Sequence, residues 1–392
     1  GVISNQARPC ESAGKIPTLG MLGTRSVMPV PKTTLNVAMI GAGFMGKAHS
    51  NAFCQVGHFF DIAYNLRRKV VCARNPAKLE ALATRWGWDE MQADWQLVVE
   101  RPDVDIIDIA VPNALHAPIA LAAAKAGKIV FCEKPLGTSL REAQEMADSV
   151  RKVPNMVWYN YRRVPAVAFA KQLIDEGRIG QPYHYRAVYL NQSGVDPSKT
   201  TTWRYSKSSA GSGATGDLLS HSIDTALYLN GPIEQLTAQT HTFAPGRDVD
   251  DAVILLAKFA NGTLGTFEAT RYGVGCRNRN AFEINGSGGM LRFNLESMNQ
   301  LEFLDASDPP SMQAVRNLTV TGPNHPYSEI FWKPGHLIGY EHTFIAALGD
   351  FLTALAAKQP FHPNFDDALE VERVLDAVSR SSASRNWESV NA

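Results

Sequence analysis

Residues 36–46 read Asn36-Val37-Ala38-Met39-Ile40-Gly41-Ala42-Gly43-Phe44-Met45-Gly46, and the fold class follows from this stretch. Residues 36–40 are a short apolar run of the kind a buried strand needs, and the glycines that end it form a G-x-G-x-x-G. Residues 45–55 then continue as a helix. In a strand–turn–helix setting each glycine has its own task. The first allows the tight turn, the second lets backbone approach a pyrophosphate, and the third lets the helix pack closely. The helix N-terminus adds N–H groups and a positive dipole for the phosphates. Gly41, Gly43, Phe44 and Met45 are therefore expected against a dinucleotide.

Strands are expected over 69–73, 105–111, 129–132 and 156–159, with helices over 76–86, 117–126 and 139–151. Short apolar strands alternating with helices specify a parallel sheet covered on both faces. Beyond about residue 180 the rhythm changes to strand-like runs at 183–190, 236–243, 252–259, 264–270, 282–285 and 290–294. Asn261-Gly262 between two of these is a hairpin signal, since both residue types tolerate positive φ. Helices are expected over 217–230, 340–358 and 366–379. The fold class is α/β: a Rossmann dinucleotide-binding domain over 35–160, then an α+β domain with a largely antiparallel open sheet over 161–392. The closing helices are expected to pack back on the first domain. Residues 1–34, rich in Gly, Pro, Ser and Thr, are set apart as an N-terminal arm that docks on another subunit.

Composition excludes several classes. Lys plus Arg and Asp plus Glu each count 38 in 392 residues, so no charge excess asks for nucleic acid or an anionic membrane. The richest apolar run, 106–126, is broken by Pro112, Asn113, His116 and Pro118, so no membrane helix is expected. Five scattered cysteines argue against a disulfide framework, and a reducing, cytoplasmic setting is expected. Neither cysteines nor histidines fall at metal-ligand spacing, so no metal is expected.

The chemistry concentrates at three places. The second strand ends Cys72-Ala73-Arg74-Asn75, without the acid that reads the ribose of NAD. Arg74 there suits the 2′-phosphate of NADP, a stack on adenine, or plain solvent exposure, and the choice between NAD(H) and NADP(H) stays open. Glu133-Lys134-Pro135 follows the 129–132 strand, at the carboxyl edge where ligands of such sheets bind. Asp217 and His221 stand four apart at a glycine-rich helix start, spaced to share one face as a proton-transfer pair.

Together these motifs resemble the Gfo/Idh/MocA oxidoreductase family over about residues 35–385. The signature is the glycine loop continuing to His49, Val111-Pro112-Asn113 with His116, Glu133-Lys134-Pro135, and the run from Gly211 through Asp217, His221 and Asp224. The stretches 158–163, 202–205 and 321–327 are similar to the branch that oxidises a secondary hydroxyl, typically C3, of a pyranose, an anhydrosugar or a glycoside. The resemblance implies Lys134, Asp217 and His221 as the catalytic set, with Pro112, Asn113, His116, Glu133 and Lys134 itself joining the cofactor contacts. His221 would be the base, Asp217 would orient it, and Lys134 would steady the developing alkoxide. Tyr159, Tyr161, Arg162, Trp203 and Arg204 are expected to contact the carbohydrate. The implied assembly is a homo-oligomer, a dimer or tetramer. Three alternatives stand beside this reading: an inositol or polyol dehydrogenase, a redox-neutral glycoside hydrolase that uses NAD transiently, and a dinucleotide sensor without turnover.

Overall fold

The structure is a computed structural model describing residues 32–196 and 202–391. Most of the expected arm lies outside the described residues, while Thr33 and Thr34 already belong to the first strand. That moves the start of the folded unit two residues ahead of the expected boundary at 35.

The first sheet is built by β1 (Thr33–Ile40), α1 (Phe44–Phe59), β2 (Tyr64–Cys72), α2 (Pro76–Trp86), β3 (Glu90–Gln92), α3 (Trp95–Val99), β4 (Ile106–Ile109), α4 (His116–Lys125), β5 (Ile129–Cys132), α5 (Leu140–Val150) and β6 (Asn155–Val157). Its strand order is β3-β2-β1-β4-β5-β6, all parallel. The order reverses between β1 and β4, so both strand ends there open onto one crevice. β4 is buried at every position, because helices cover both faces. Full burial of Ile106, Ile107 and Ile109 contributes roughly 1.5–3 kcal/mol each. Local chemistry sets the boundaries. Asn75 caps α2 by accepting from the Lys78 N–H, Pro76 stands at its first turn, and Gly87 closes it with φ +64°. β3 and α3 were not expected; a three-residue strand and a five-residue helix carry too little periodicity to read.

The second half runs α6 (Pro165–Asp175), β7 (Pro182–Leu190), α7 (Lys207–Ala210), α8 (Ser220–Asn230), β8 (Ile233–His241), β9 (Ala252–Phe259), β10 (Leu264–Thr270), β11 (Arg279–Gly286), β12 (Gly289–Asn294), β13 (Gln300–Asp305), β14 (Arg316–Thr319), α9 (Ser328–Phe331), α10 (Tyr340–Ala356), α11 (Phe365–Ser384) and β15 (Glu388–Ser389). Its nine-stranded sheet is ordered β14-β13-β12-β11-β7-β10-β9-β8-β15. Only the β7–β10 pair is parallel. β9 alternates strictly: Val253, Leu255, Ala257 and Phe259 face inward, while Ile254, Leu256 and Lys258 face out. The β9–β10 connection is a hairpin, but only Gly262 takes positive φ, at +88°. Asn261 instead turns its side chain to the Thr263 N–H and the Asn230 carbonyl.

The two sheets share their helices. α10 packs on α1, and its Phe344, Ile345, Leu348 and Phe351 join Val37, Met39, Ile106 and Phe131 in one core. α11 packs against α5 on one side and β8 on the other. Residues from the chain's end thus brace the dinucleotide half.

Candidate active site

The carboxyl edge of the first sheet, the start of α8 and the end of β10 enclose one cleft of about 900 Å³. One end of it is made by the glycine loop. Gly41 has φ +129°, and a Cβ there would lie 2.0 Å from the Ala110 carbonyl oxygen. A Cβ on Gly46 would lie 2.5 Å from the Gly41 carbonyl oxygen. Those two glycines answer to the chain's own backbone. Gly43 does not, since nothing lies within 4 Å of where its Cβ would be. It faces open cleft at the N-terminus of α1, which has no acid in its first turn and no side-chain cap. This is the cradle a pyrophosphate fits, with uncapped N–H groups and a dipole of the right sign. Phe44, Met45, Arg74, Pro112 and Asn113 line the same cleft, and Asn113 is held by donating to the Ala210 carbonyl at 2.9 Å.

At the other end lie the acid–base groups. Lys134, joined to Pro135 by a cis peptide, sends its ammonium to the Asp217 carbonyl oxygen (2.6 Å) and carboxylate (3.3 Å). Arg271 Nη2 donates to the other carboxylate oxygen at 3.1 Å, and Arg204 approaches it at 4.0 Å. Burial works to raise the Asp217 carboxyl, but the charges of Lys134, Arg271 and Arg204 outweigh it and hold the group ionised well below the usual range. His221 is buried against Tyr161, with ring centroids 4.5 Å apart. Burial, reinforced by the Lys134 charge and only partly offset by Asp217, pushes its pKa well below 6.5. The imidazole is therefore neutral at neutral pH and free to accept a proton.

The expected Asp217–His221 pairing does not form: no hydrogen bond joins the two among the described residues. Residues Thr215–Leu219 form a π-helical turn ahead of α8, so the i, i+4 stacking of an α-helix does not apply, and the carboxylate turns to the cations instead. Asp217 acts on His221 through its charge.

Three other expected contacts lie outside the cleft. His116 is wholly buried, its ring nitrogens 3.0–3.2 Å from the carbonyl oxygens of Val111, Pro135 and Leu136. It ties the turn after β4 to the Lys134–Pro135 loop. Arg162 is buried in a bidentate pair with Asp224, with Asp367 at 3.6 Å. Tyr159 is a core residue whose ring meets the far side of His221 edge-on at 5.9 Å. Tyr161, Trp203 and Arg204 do line the cleft, and Arg204 stacks on Trp203.

The structure adds partners the sequence did not reveal. Arg271 is one, at the end of β10, far along the chain from Asp217. Tyr189 is another, donating to Asn278 at 2.9 Å while its oxygen lies 3.2 Å from the Tyr161 hydroxyl. A third group lies behind Glu133, which lines the cleft. His49, on α1, stands between Asp108 (2.8 Å) and Glu133 (2.9 Å), and Trp158 Nε1 donates to Asp108 at 2.9 Å. Burial works to lower the His49 pKa, but the charge and hydrogen bond of Asp108, with those of Glu133, prevail and hold it at about 9. His49 is an imidazolium held between two buried carboxyl groups. His49 carried a motif signal in the sequence; Arg271 and Tyr189 carried none.

Among the described residues no group of His, Cys, Asp and Glu is arranged to hold a metal, and no helix is long and apolar enough to cross a membrane.

Residues 35–161 match the oxidoreductase family with an NAD-binding Rossmann fold, and residues 167–292 match the GFO/IDH/MocA C-terminal domain. Levoglucosan dehydrogenase of Pseudarthrobacter phenanthrenivorans is 41% identical over 383 residues, which is 91% of this chain and 98% of that protein. The D-glucoside 3-dehydrogenase of Escherichia coli is 30% identical over 216 residues, 53% of this chain and 58% of that protein. Among solved structures, levoglucosan dehydrogenase in complex with NADH and levoglucosan superposes with a TM-score of 0.89 at 41% identity, covering 91% of this chain and 99% of that one.

Proposed function

This chain belongs to the GFO/IDH/MocA oxidoreductase family, and we propose that it oxidises a secondary hydroxyl, C3, of a pyranose, anhydrosugar or glycoside to the ketone. The observation that carries this reading is the placement of neutral His221, Lys134 and the Asp217–Arg271 pair in the same cleft as the open Gly43 cradle. A neutral alcohol does not release hydride, so the oxidation needs a base in reach of the hydroxyl proton. A nicotinamide dinucleotide, when bound, accepts the hydride. His221 takes the proton, and the electron pair of the O–H bond becomes the carbonyl π bond as the C–H bond breaks. The Lys134 ammonium stabilises the negative charge that develops on that oxygen, and Asp217 with Arg271 fixes where the ammonium points. Trp203 and Tyr161 offer apolar faces for the C–H side of a sugar ring, while Arg204 and Asn278 offer polar contacts for its hydroxyls.

The anhydrosugar and the C3 position are supported by the two relatives whose names carry them. The homo-oligomer is supported by Ile254, Leu256 and Leu264, exposed together on the outer face of the second sheet. A dehydrogenase assay with NAD and NADP over levoglucosan, glucosides, glucose and inositols tests the function. Reduction of the dinucleotide with levoglucosan or a glucoside, and formation of the 3-keto product by NMR, is the expected result. Release of an aglycone with no net reduction, or turnover of inositols alone, would overturn it.

A further inference from the structure

The ribose end of the cleft differs from its catalytic end in charge. Glu133 and Asp217, the acids that line the cleft, both stand at the catalytic end. The stretch after β2 offers Ala73, Arg74, Asn75 and, one turn into α2, Lys78. The side chains of Arg74 and Lys78 make no ion pair or hydrogen bond among the described residues, so both charges face the cleft and solvent. Asn75 accepts from the Lys78 N–H as the cap of α2, and Asp94, beside the lining residue Ala93, caps α3 by accepting from the Gln96 N–H and is not itself among the residues lining the cleft. No carboxylate therefore lines the cleft at the end of β2 to accept from a ribose 2′-hydroxyl, and the residue at the strand end, Ala73, has no side chain that reaches.

We propose that this end takes a 2′-phosphate, so that the chain binds NADP(H) at least as tightly as NAD(H). This rests on reading the cleft as a dinucleotide site. A dianionic phosphate there meets a planar guanidinium that can bind it bidentately, a second cation, and the positive end of α2. NAD(H) lacks the phosphate that would meet these groups and finds no acid lining this end of the cleft for its 2′-hydroxyl.

The test is titration calorimetry of NADH and NADPH, with 5′-AMP and 2′,5′-ADP as fragments that isolate the phosphate, on the wild type, Arg74→Ala and Ala73→Glu. The wild type should bind NADPH at least as tightly as NADH, and 2′,5′-ADP more tightly than 5′-AMP, with an advantage that shrinks as salt is raised. Arg74→Ala should weaken NADPH by roughly 10–100-fold, the range of a charge-assisted contact, and NADH by no more than about threefold. Ala73→Glu should move the preference toward NADH. Tighter binding of NADH than NADPH by the wild type overturns the proposal. So does an equal loss for both dinucleotides in Arg74→Ala, which would make Arg74 an adenine stack. If neither dinucleotide binds, the dinucleotide reading falls with it; if only NADH binds, that reading stands and the 2′-phosphate alone is lost.

Discussion

Replacing His49 with Gln should weaken the fold in a way that depends on pH. His49 does not line the cleft; it is wholly buried between Asp108 and Glu133. Its pKa in the folded protein is about 9 against 6.5 for a free imidazole. At 1.36 kcal/mol for each pKa unit, that difference is worth about 3 kcal/mol. Because the folded value is the raised one, the contribution is complete below pH 6.5 and is lost as pH rises through 9. The side chain is fully enclosed, so solvent does not screen it. In the Gln variant two buried carboxylates lose their cation, which typically costs about 3–5 kcal/mol, a large part of an ordinary domain's stability. Urea unfolding of wild type and His49→Gln should be followed from pH 6 to 10. The gap in unfolding free energy should be widest near pH 6 and close by about 3 kcal/mol toward pH 10. Glu133 reaches the cleft, so weaker dinucleotide binding should accompany the loss. A gap that stays constant across this range would show that His49 is neutral in the folded protein and would refute the argument.

Gly43→Val should leave the fold intact, since its Cβ meets no atom of the chain, yet abolish dinucleotide binding by calorimetry. His221→Ala and Lys134→Ala should each lower kcat by about 10²–10⁴-fold, and the double variant should fall little further, as stopped-flow assays at saturating sugar would show. Because burial and the Lys134 charge depress His221, the acid limb of the pH–rate profile should lie below pH 6.5; Lys134→Met should move it upward. Glu372, wholly enclosed and raised by burial to about 7, accepts from the Gly137 N–H. The unfolded chain ionises it from about pH 4.5 while the folded one retains the proton, so this group removes stability between pH 4.5 and 7. Glu372→Gln should therefore stabilise the protein at pH 8 by up to about 3 kcal/mol in thermal or urea unfolding.

The dinucleotide half of the fold was legible in the sequence because its information is local. A strand, a glycine turn and a helix succeed one another within residues 33–59, and the shortness of the apolar run together with the glycines that end it separates strand from helix. The alternation of β9 and β10 was readable for the same reason. Lys134, Asp217 and His221 were legible as motif members, since each stands beside a strand end or a helix start that the pattern itself marks. What the sequence left undecided was which polar side chains turn to the cleft and which are spent inside. Arg162 and Arg204 are both arginines beside aromatic residues, yet Asp224 holds one in the core while the other reaches the cleft. His116 and His221 are both enclosed, but three carbonyl oxygens meet the ring nitrogens of the first, while the rings of Tyr159, Tyr161 and Tyr189 pack around the second. The π turn that separates Asp217 from His221 and hands its carboxylate to Arg271 leaves no mark in spacing. Several of those outcomes depend on partners 50 or more residues away, such as Asp217 with Arg271, Arg162 with Asp224 or Asn113 with Ala210, and only the packing of two sheets through shared helices brings them within hydrogen-bond reach.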